Sequence, residues 1–406
     1  MASANTLPSS ARPHSTAEAR HGGAVVAVFV LAAGVLAALL GWLLARGQLA
    51  AVVPDAYRQM LALADAPGRE ALWLFHPRGI AQLGHWLLSI SPTAALLLPC
   101  ALDIAACAVM VALLWRDLSR ALGQGWAWTL SALFLLQPLL LWAALTGEGH
   151  GVALLVFYGL CRTLRRFRRE IGPAVYMSLA AWMCLFFFTG VSAWLVIAAL
   201  APWMLLVVPA GLLPRAPFTF HLAVFLPLLF VLLICLHLGL LLEGDALALL
   251  RGAWTSASSA GDILGWGWQA WAGLAAIVML PLPALTAFAV PGAWRTPACV
   301  AAALASAGLA AVWLWGRWPS GMALLLLVPA ALALREIRRP QRLVAGALLL
   351  AMLAGSGWIL LPQLQELAGR GAVLPPAATT VGAMDAASGT GTPARAFAAQ
   401  AGRERP

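Results

Sequence analysis

Residues 218–242 read FTFHLAVFLPLLFVLLICLHLGLLL, a continuous stretch without one Asp, Glu, Lys or Arg. A run of that length matches a bilayer, which an α-helix crosses in about 20 residues. In hydrocarbon every backbone N–H and C=O must be paired inside the protein, so only helices and closed barrels can span. Barrel strands alternate apolar and polar residues with period two, and this chain shows no such alternation. Comparable apolar runs lie at about 24–45, 92–115, 126–145, 149–165, 174–190, 192–213, 269–290, 298–315, 321–334 and 343–361. The expected fold is all-α, a polytopic integral membrane protein of about 11 transmembrane helices, within a range of about 10–12. The run at 321–334 is short for a crossing, which points to a tilted, half-buried or mis-bounded helix.

Charge is scarce: 10% of the residues carry one, and 62% are hydrophobic, against about 25% charged in a soluble domain. The net charge of +10 comes from arginine alone, since all 25 basic residues are Arg. Most of them occupy short loops between spans, where positive charge marks the cytoplasmic side. No nucleic-acid partner is expected. Arg116 and Arg120, the run RTLRRFRRE (162–170), Arg215, Arg295 and the group from Arg335 to Arg342 fall on one side of the membrane. With an odd span count the N-terminus is cytoplasmic and the C-terminus outside. Arg-only, Ala- and Gly-rich usage suggests a bacterial inner membrane. RTLRRFRRE is read as topogenic or headgroup-binding, without chemistry. The six cysteines sit in or beside spans without a CxxC pair, as small apolar residues rather than disulfide or zinc ligands. Residues 1–23 are expected to form a disordered cytoplasmic N-terminus, 24–361 the membrane domain, and 362–406 a disordered tail. No Walker, GxGxxG, HExxH or GxSxG pattern occurs.

Two outward loops are long, about 46–91 and 243–268. In the first, PDAYRQMLALADAPGR is predicted to form a helix that starts near Pro54. Asp55, Arg58, Gln59, Asp65 and Arg69 fall on one face; Tyr57, Met60, Leu61 and Ala64 fall on the other. Such a helix lies flat on the membrane, and its charges have a plain reading as the wet face. Asp55 also has a sharper one: at the mouth of the first span, a carboxylate can act as general base toward an acceptor hydroxyl. WLFHPRG brings His76 and Arg78 into the same loop, as phosphate-binding groups or headgroup anchors. The turn TGEGHG (146–151) places Glu148 and His150 among glycines, as active-site groups, a weak two-ligand cation site, or an ordinary polar turn. No resident metal or other cofactor is expected, a divalent cation at that turn being the one opening. Asp103 lies within the second span, where a carboxylate costs on the order of 3 kcal/mol. It reads as a helix–helix hydrogen bond or a functional acid, and His237 as a packing residue. Trp254, Trp266, Trp268 and Trp271 in the second loop, near Glu243, Asp245 and Asp262, form an interfacial belt or a sugar-stacking surface.

The order of features in the first half resembles the GT-C superfamily of membrane glycosyltransferases. A first span ends at an acid (VVPDAYRQMLALAD), and an amphipathic outer loop follows. A His-Pro motif then precedes a helix (FHPRGIAQLGHWLLSI), and a Leu-Pro-led span runs into a basic turn (LLLPCALDIAACAVMVALLWRDLSRALG). A proline-bearing third span ends LLQPLLLWAALTGEGHG. The layout is similar to the protein O-mannosyltransferase and lipid A aminoarabinose transferase branches and covers roughly 24–210. It implies a GT-C-like bundle and transfer of a sugar from a polyprenyl-phosphate donor to an extracytoplasmic acceptor. Asp55 then stands at the position of the catalytic carboxylate and Glu148 at the second acidic position. Arg58, His76, Arg78 and His150 become substrate- or phosphate-binding, and membrane lipid becomes a partner. The sequence departs from the pattern where Ala56 replaces a second acid and Arg78 a second proline. The alternative is a non-enzymatic membrane protein, either a lipid or small-solute transporter or an assembly subunit for envelope polysaccharide.

Overall fold

The computed structural model describes residues 14–45, 92–145, 147, 149–167, 172–207, 217–248, 250–251, 295–315 and 320–336, with isolated positions between 343 and 350. Every regular element among them is helical. In chain order they are α1 (His14–Ala45), α2 (Pro92–Leu122), α3 (Gln124–Leu135), α4 (Pro138–Leu145), α5 (His150–Phe167) and α6 (Pro173–Phe187). The series continues with α7 (Val191–Val207), α8 (Pro217–Glu243), α9 (Arg295–Trp315), α10 (Ser320–Leu325) and α11 (Leu327–Glu336). Among the described residues, three helices contain stretches long and apolar enough to cross a membrane: Gly22–Leu43, Leu97–Leu122 and Phe220–Leu241. A fourth crossing is possible if α3 and α4 count as one span. The chain is thus all-helical in its described part and has the helices of a membrane protein. The amphipathic loop helix and the runs at 269–290 and most of 343–361 lie outside the described residues.

Sequence explains where the helices stop. Residues 126–145 were expected as one span, but α3 and α4 meet at a 63° bend. Pro138 lacks an N–H, and its ring displaces the carbonyl of residue 134, so the helix breaks just ahead of it. Gln137 instead bonds back to the Phe134 carbonyl in a tighter turn. The short run at 321–334 divides in the same way. Leu326 is a turn between α10 and α11, placed where Pro329 would clash with the residue 325 carbonyl. Met322, Leu325, Val328, Ala331 and Leu332 are all buried, so this segment is enclosed by protein. α1 begins at His14, ahead of the apolar run expected from 24.

α2 is the hub, with α1, α3, α4, α5 and α11 packed around it. α1 offers it a single stripe, Val28, Ala32, Leu36 and Leu40, at four-residue spacing, which is the ridge that one helix lays into another's groove. Elsewhere small residues let helix axes approach. Ala302, Ala303, Ala305, Ala307 and Ala311 of α9 are buried, and α9 packs on α7. α5 and α6 join through Phe157 stacked on Phe186 at 4.9 Å and Phe167 edge-on to Tyr176 at 4.7 Å. The α6 terminus is closed by the Trp194 indole N–H, which donates to the Phe187 carbonyl at 2.9 Å, one of the acceptors a helix end leaves open.

Gly159 lies where α5 and α6 approach tightly, since a Cβ there would lie 2.7 Å from the Trp182 ring. Gly159→Val is expected to destabilise the protein by about 1–3 kcal/mol through overpacking. Thermal unfolding in detergent checks this, and an unchanged midpoint would contradict the packing described.

Candidate functional site

Asp103 and Asp117 lie four helical turns apart on α2, and both are buried. A carboxylate in such a helix persists only if the fold supplies donors. The two find them in different ways.

Asp103 caps another helix. Its Oδ2 accepts from the Gly149 N–H at 2.9 Å and its Oδ1 from the Val152 N–H at 3.1 Å. The first N–H groups of α5 have no partner within their own helix, and Gly149 has no side chain with which to cap them. Asp103 meets that need from α2, with the positive end of the α5 dipole toward its oxygens. His150, the first residue of α5, lies in the electrostatic surroundings of Asp103. The approach is tight, because a Cβ at Gly151 would come within 2.5 Å of the Asp103 carbonyl oxygen. One turn earlier on α2, the Cys100 thiol donates to the Leu145 carbonyl at 3.5 Å. Gly147 (φ 66°) and Gly149 (φ 79°) hold left-handed conformations, which glycine adopts without strain. The sequence reading of Asp103 as a helix–helix hydrogen bond holds, with one change. The partner is backbone N–H, so the two carboxyl oxygens serve as acceptors.

Asp117 joins three helices. Its Oδ1 pairs with Arg162 of α5 at 3.0 Å and its Oδ2 with Arg335 of α11 at 2.9 Å. The Tyr158 hydroxyl donates to Oδ2 at 3.4 Å. Arg165 of α5 pairs with Glu336 of α11 beside it. Arg162 and Arg165, read from sequence as topogenic, are therefore used inside the protein. Asp117, Tyr158 and Glu336 were not singled out from sequence. The available signal was an acid next to a basic turn, facing an α5 whose Tyr158, Arg162 and Arg165 follow helical spacing.

Of the sequence-derived site residues, Asp55, Arg58, His76 and Arg78 lie in 46–91, outside the described residues, as does Glu148. His150 is described, half-buried at the start of α5. Asp245 accepts from the Leu247 N–H and pairs with Arg251 at 2.9 Å, a local turn closure. His237 lies on the exposed side of α8, which corrects its reading as a packing residue. Trp254, Asp262, Trp266, Trp268 and Trp271 are outside the described residues, and no metal-competent cluster of His, Cys, Asp or Glu occurs among the described ones. All six cysteines are free.

Comparison with protein-family models, with curated proteins and with solved structures returns no match.

Removing one partner of a buried ion cluster strands the others. Asp117→Ala leaves Arg162 and Arg335 without their carboxylate and is expected to cost about 3–5 kcal/mol. Urea or thermal unfolding of the detergent-solubilised protein measures it, and a loss under about 1 kcal/mol would place the cluster in water-like surroundings.

Proposed function

We propose that this protein is a GT-C-type glycosyltransferase of a bacterial inner membrane. It moves a sugar from a polyprenyl-phosphate donor to an acceptor outside the cytoplasm. The observation that carries this reading is the order of motifs over residues 24–210. An acid follows the first span, then come His-Pro, a Leu-Pro-led span, a proline-bearing span and an acidic glycine turn. The reading includes about eleven spans, a cytoplasmic N-terminus and an outward C-terminus.

The loop 46–91 runs directly into the start of α2, the end of that helix that carries Cys100 and Asp103 and meets the glycine turn. In the proposed reaction Asp55 takes the proton from the acceptor hydroxyl as its oxygen bonds to the anomeric carbon. The bond from that carbon to the phosphate oxygen breaks, and polyprenyl phosphate leaves with the electron pair. Arg58 and Arg78 hold the leaving phosphate by charge-assisted hydrogen bonds. Glu148 and His150 border the acceptor.

A transport reading leans on ionisable groups along a midplane path, and the two that the sequence offered for it, Asp103 and His237, are poorly suited. Asp103 is occupied by backbone donors, and His237 stands on the exposed side of α8.

Mass spectrometry of lipid co-purified with the full-length protein is expected to find a polyprenyl-phosphate sugar. Asp55→Asn is expected to insert normally, keep that lipid, and lose transfer by about a hundredfold or more. Full transfer in Asp55→Asn would remove the base from this mechanism. Absence of any phosphoprenyl sugar, with transfer undetectable, would overturn the enzyme reading.

A further inference from the structure

Toward the end of α2 that holds Asp117, arginines outnumber acids among the described residues. Asp117 takes Arg162 and Arg335, and Glu336 takes Arg165. Arg116 and Arg120 are left over. They stand one turn apart in the last turns of α2, and neither guanidinium has a partner among the described residues. Like charges at that spacing repel each other. A helix end favours a cation, which accounts for the exposed Arg120. It does not account for Arg116, whose Nε is buried without an acceptor, a state that costs free energy until an acceptor arrives. The neighbouring Trp115 is 1% exposed, and its indole N–H also lacks an acceptor. Guanidinium and indole groups only donate. This corner is short of an acceptor, and two unpaired positive charges select an anionic one.

We infer that Arg116 and Arg120 form a binding site for the phosphate group of an anionic membrane lipid. Position favours a lipid over a soluble anion. Arg120 lies in the last turn of the Leu97–Leu122 stretch that is apolar enough to span, where hydrocarbon gives way to headgroups. Trp128, near the start of α3, packs on Trp115 at 5.5 Å and is 39% exposed, as an indole at headgroup level is. The link between α2 and α3 is the single residue Gly123, and a Cβ at Gly123 or Gly125 would meet nothing within 4 Å. The corner is therefore open among the described residues. Two guanidiniums offer a phosphate diester charge-assisted donors in a fork, and basic residues at a membrane surface attract anionic lipid. A zwitterionic headgroup brings an ammonium that the pair repels. The proposed transferase chemistry uses neither arginine, so this site stands or falls apart from it.

The test uses the full-length protein in detergent at about 0.15 M salt, where exposed charges more than about 8 Å apart are largely screened. Phosphatidylglycerol, phosphatidylcholine and inorganic phosphate are titrated separately. Native mass spectrometry counts retained lipid, and thermal unfolding follows the midpoint. Phosphatidylglycerol is expected to bind and raise the midpoint, while the other two at the same concentration leave it in place. Arg116→Gln and Arg120→Gln are each expected to weaken phosphatidylglycerol binding by about tenfold. Arg166→Gln removes an exposed charge at the end of α5 and is expected to weaken it by less than about twofold. Arg120 is exposed, so its variant keeps the test readable should Arg116→Gln fail to fold. Equal stabilisation by inorganic phosphate overturns the lipid assignment in favour of a soluble anion, and equal stabilisation by phosphatidylcholine overturns the choice of an anionic headgroup. Wild-type affinity in Arg120→Gln overturns the site. So does an equal loss in Arg166→Gln, which leaves only diffuse attraction between a basic rim and anionic lipid.

Discussion

An acid buried in an apolar helix must be given donors by the rest of the fold, and α2 contains two such acids. That requirement organises the described bundle. Asp103 draws in the start of α5 through backbone N–H groups, and Asp117 draws in the far end of α5 and the end of α11 through guanidinium groups. α5 is consequently fastened to α2 at both ends, by a helix cap at one and an ion cluster at the other. Apolar packing alone would leave the pair free to slide, because lipid tails solvate leucine as well as another helix does. Hydrogen bonds with defined partners remove that freedom.

The two ties differ in what they ask of the chain. Backbone donors cost no side-chain entropy and are present at every helix start, so the Asp103 cap needs only close approach. Glycine at 151 permits it. The Asp117 cluster requires three long arginine side chains to be held in place and two carboxylates to be desolvated, a costly arrangement whose net stabilisation is small. Its return is registry, since a helix from late in the chain is matched to two from its first half. Proline provides the remaining punctuation, breaking α3 from α4 and α10 from α11 so that these segments turn within the protein.

At the end of α2 that holds Asp103, the fold fixes the glycine turn between α4 and α5. The contacts fall at the Leu145 carbonyl and at the Gly149 and Val152 N–H groups, all met by one face of α2. His150 belongs both to the sequence-derived site and to the surroundings of Asp103.

Helical membrane character could be read directly from the chain, because the cost of an unpaired backbone group in hydrocarbon turns any long uncharged run into a helix without reference to its neighbours. The Pro138 break was equally local, although a hydropathy window reads across a proline and reported one span. Asp103 could be recognised as anomalous for the same reason of solvation. Its partner could not, since backbone N–H groups leave no mark in a sequence. Asp117 carries no such mark, since a charge at a span end is ordinary, and the arginines of RTLRRFRRE serve equally well as topology signals; only α11 beside them shows the pairing. Which helices cross, and how many, is set by residue-by-residue transfer from water. Which carboxylate meets which donor is set by distances between segments up to about two hundred residues apart, and only the folded arrangement fixes those.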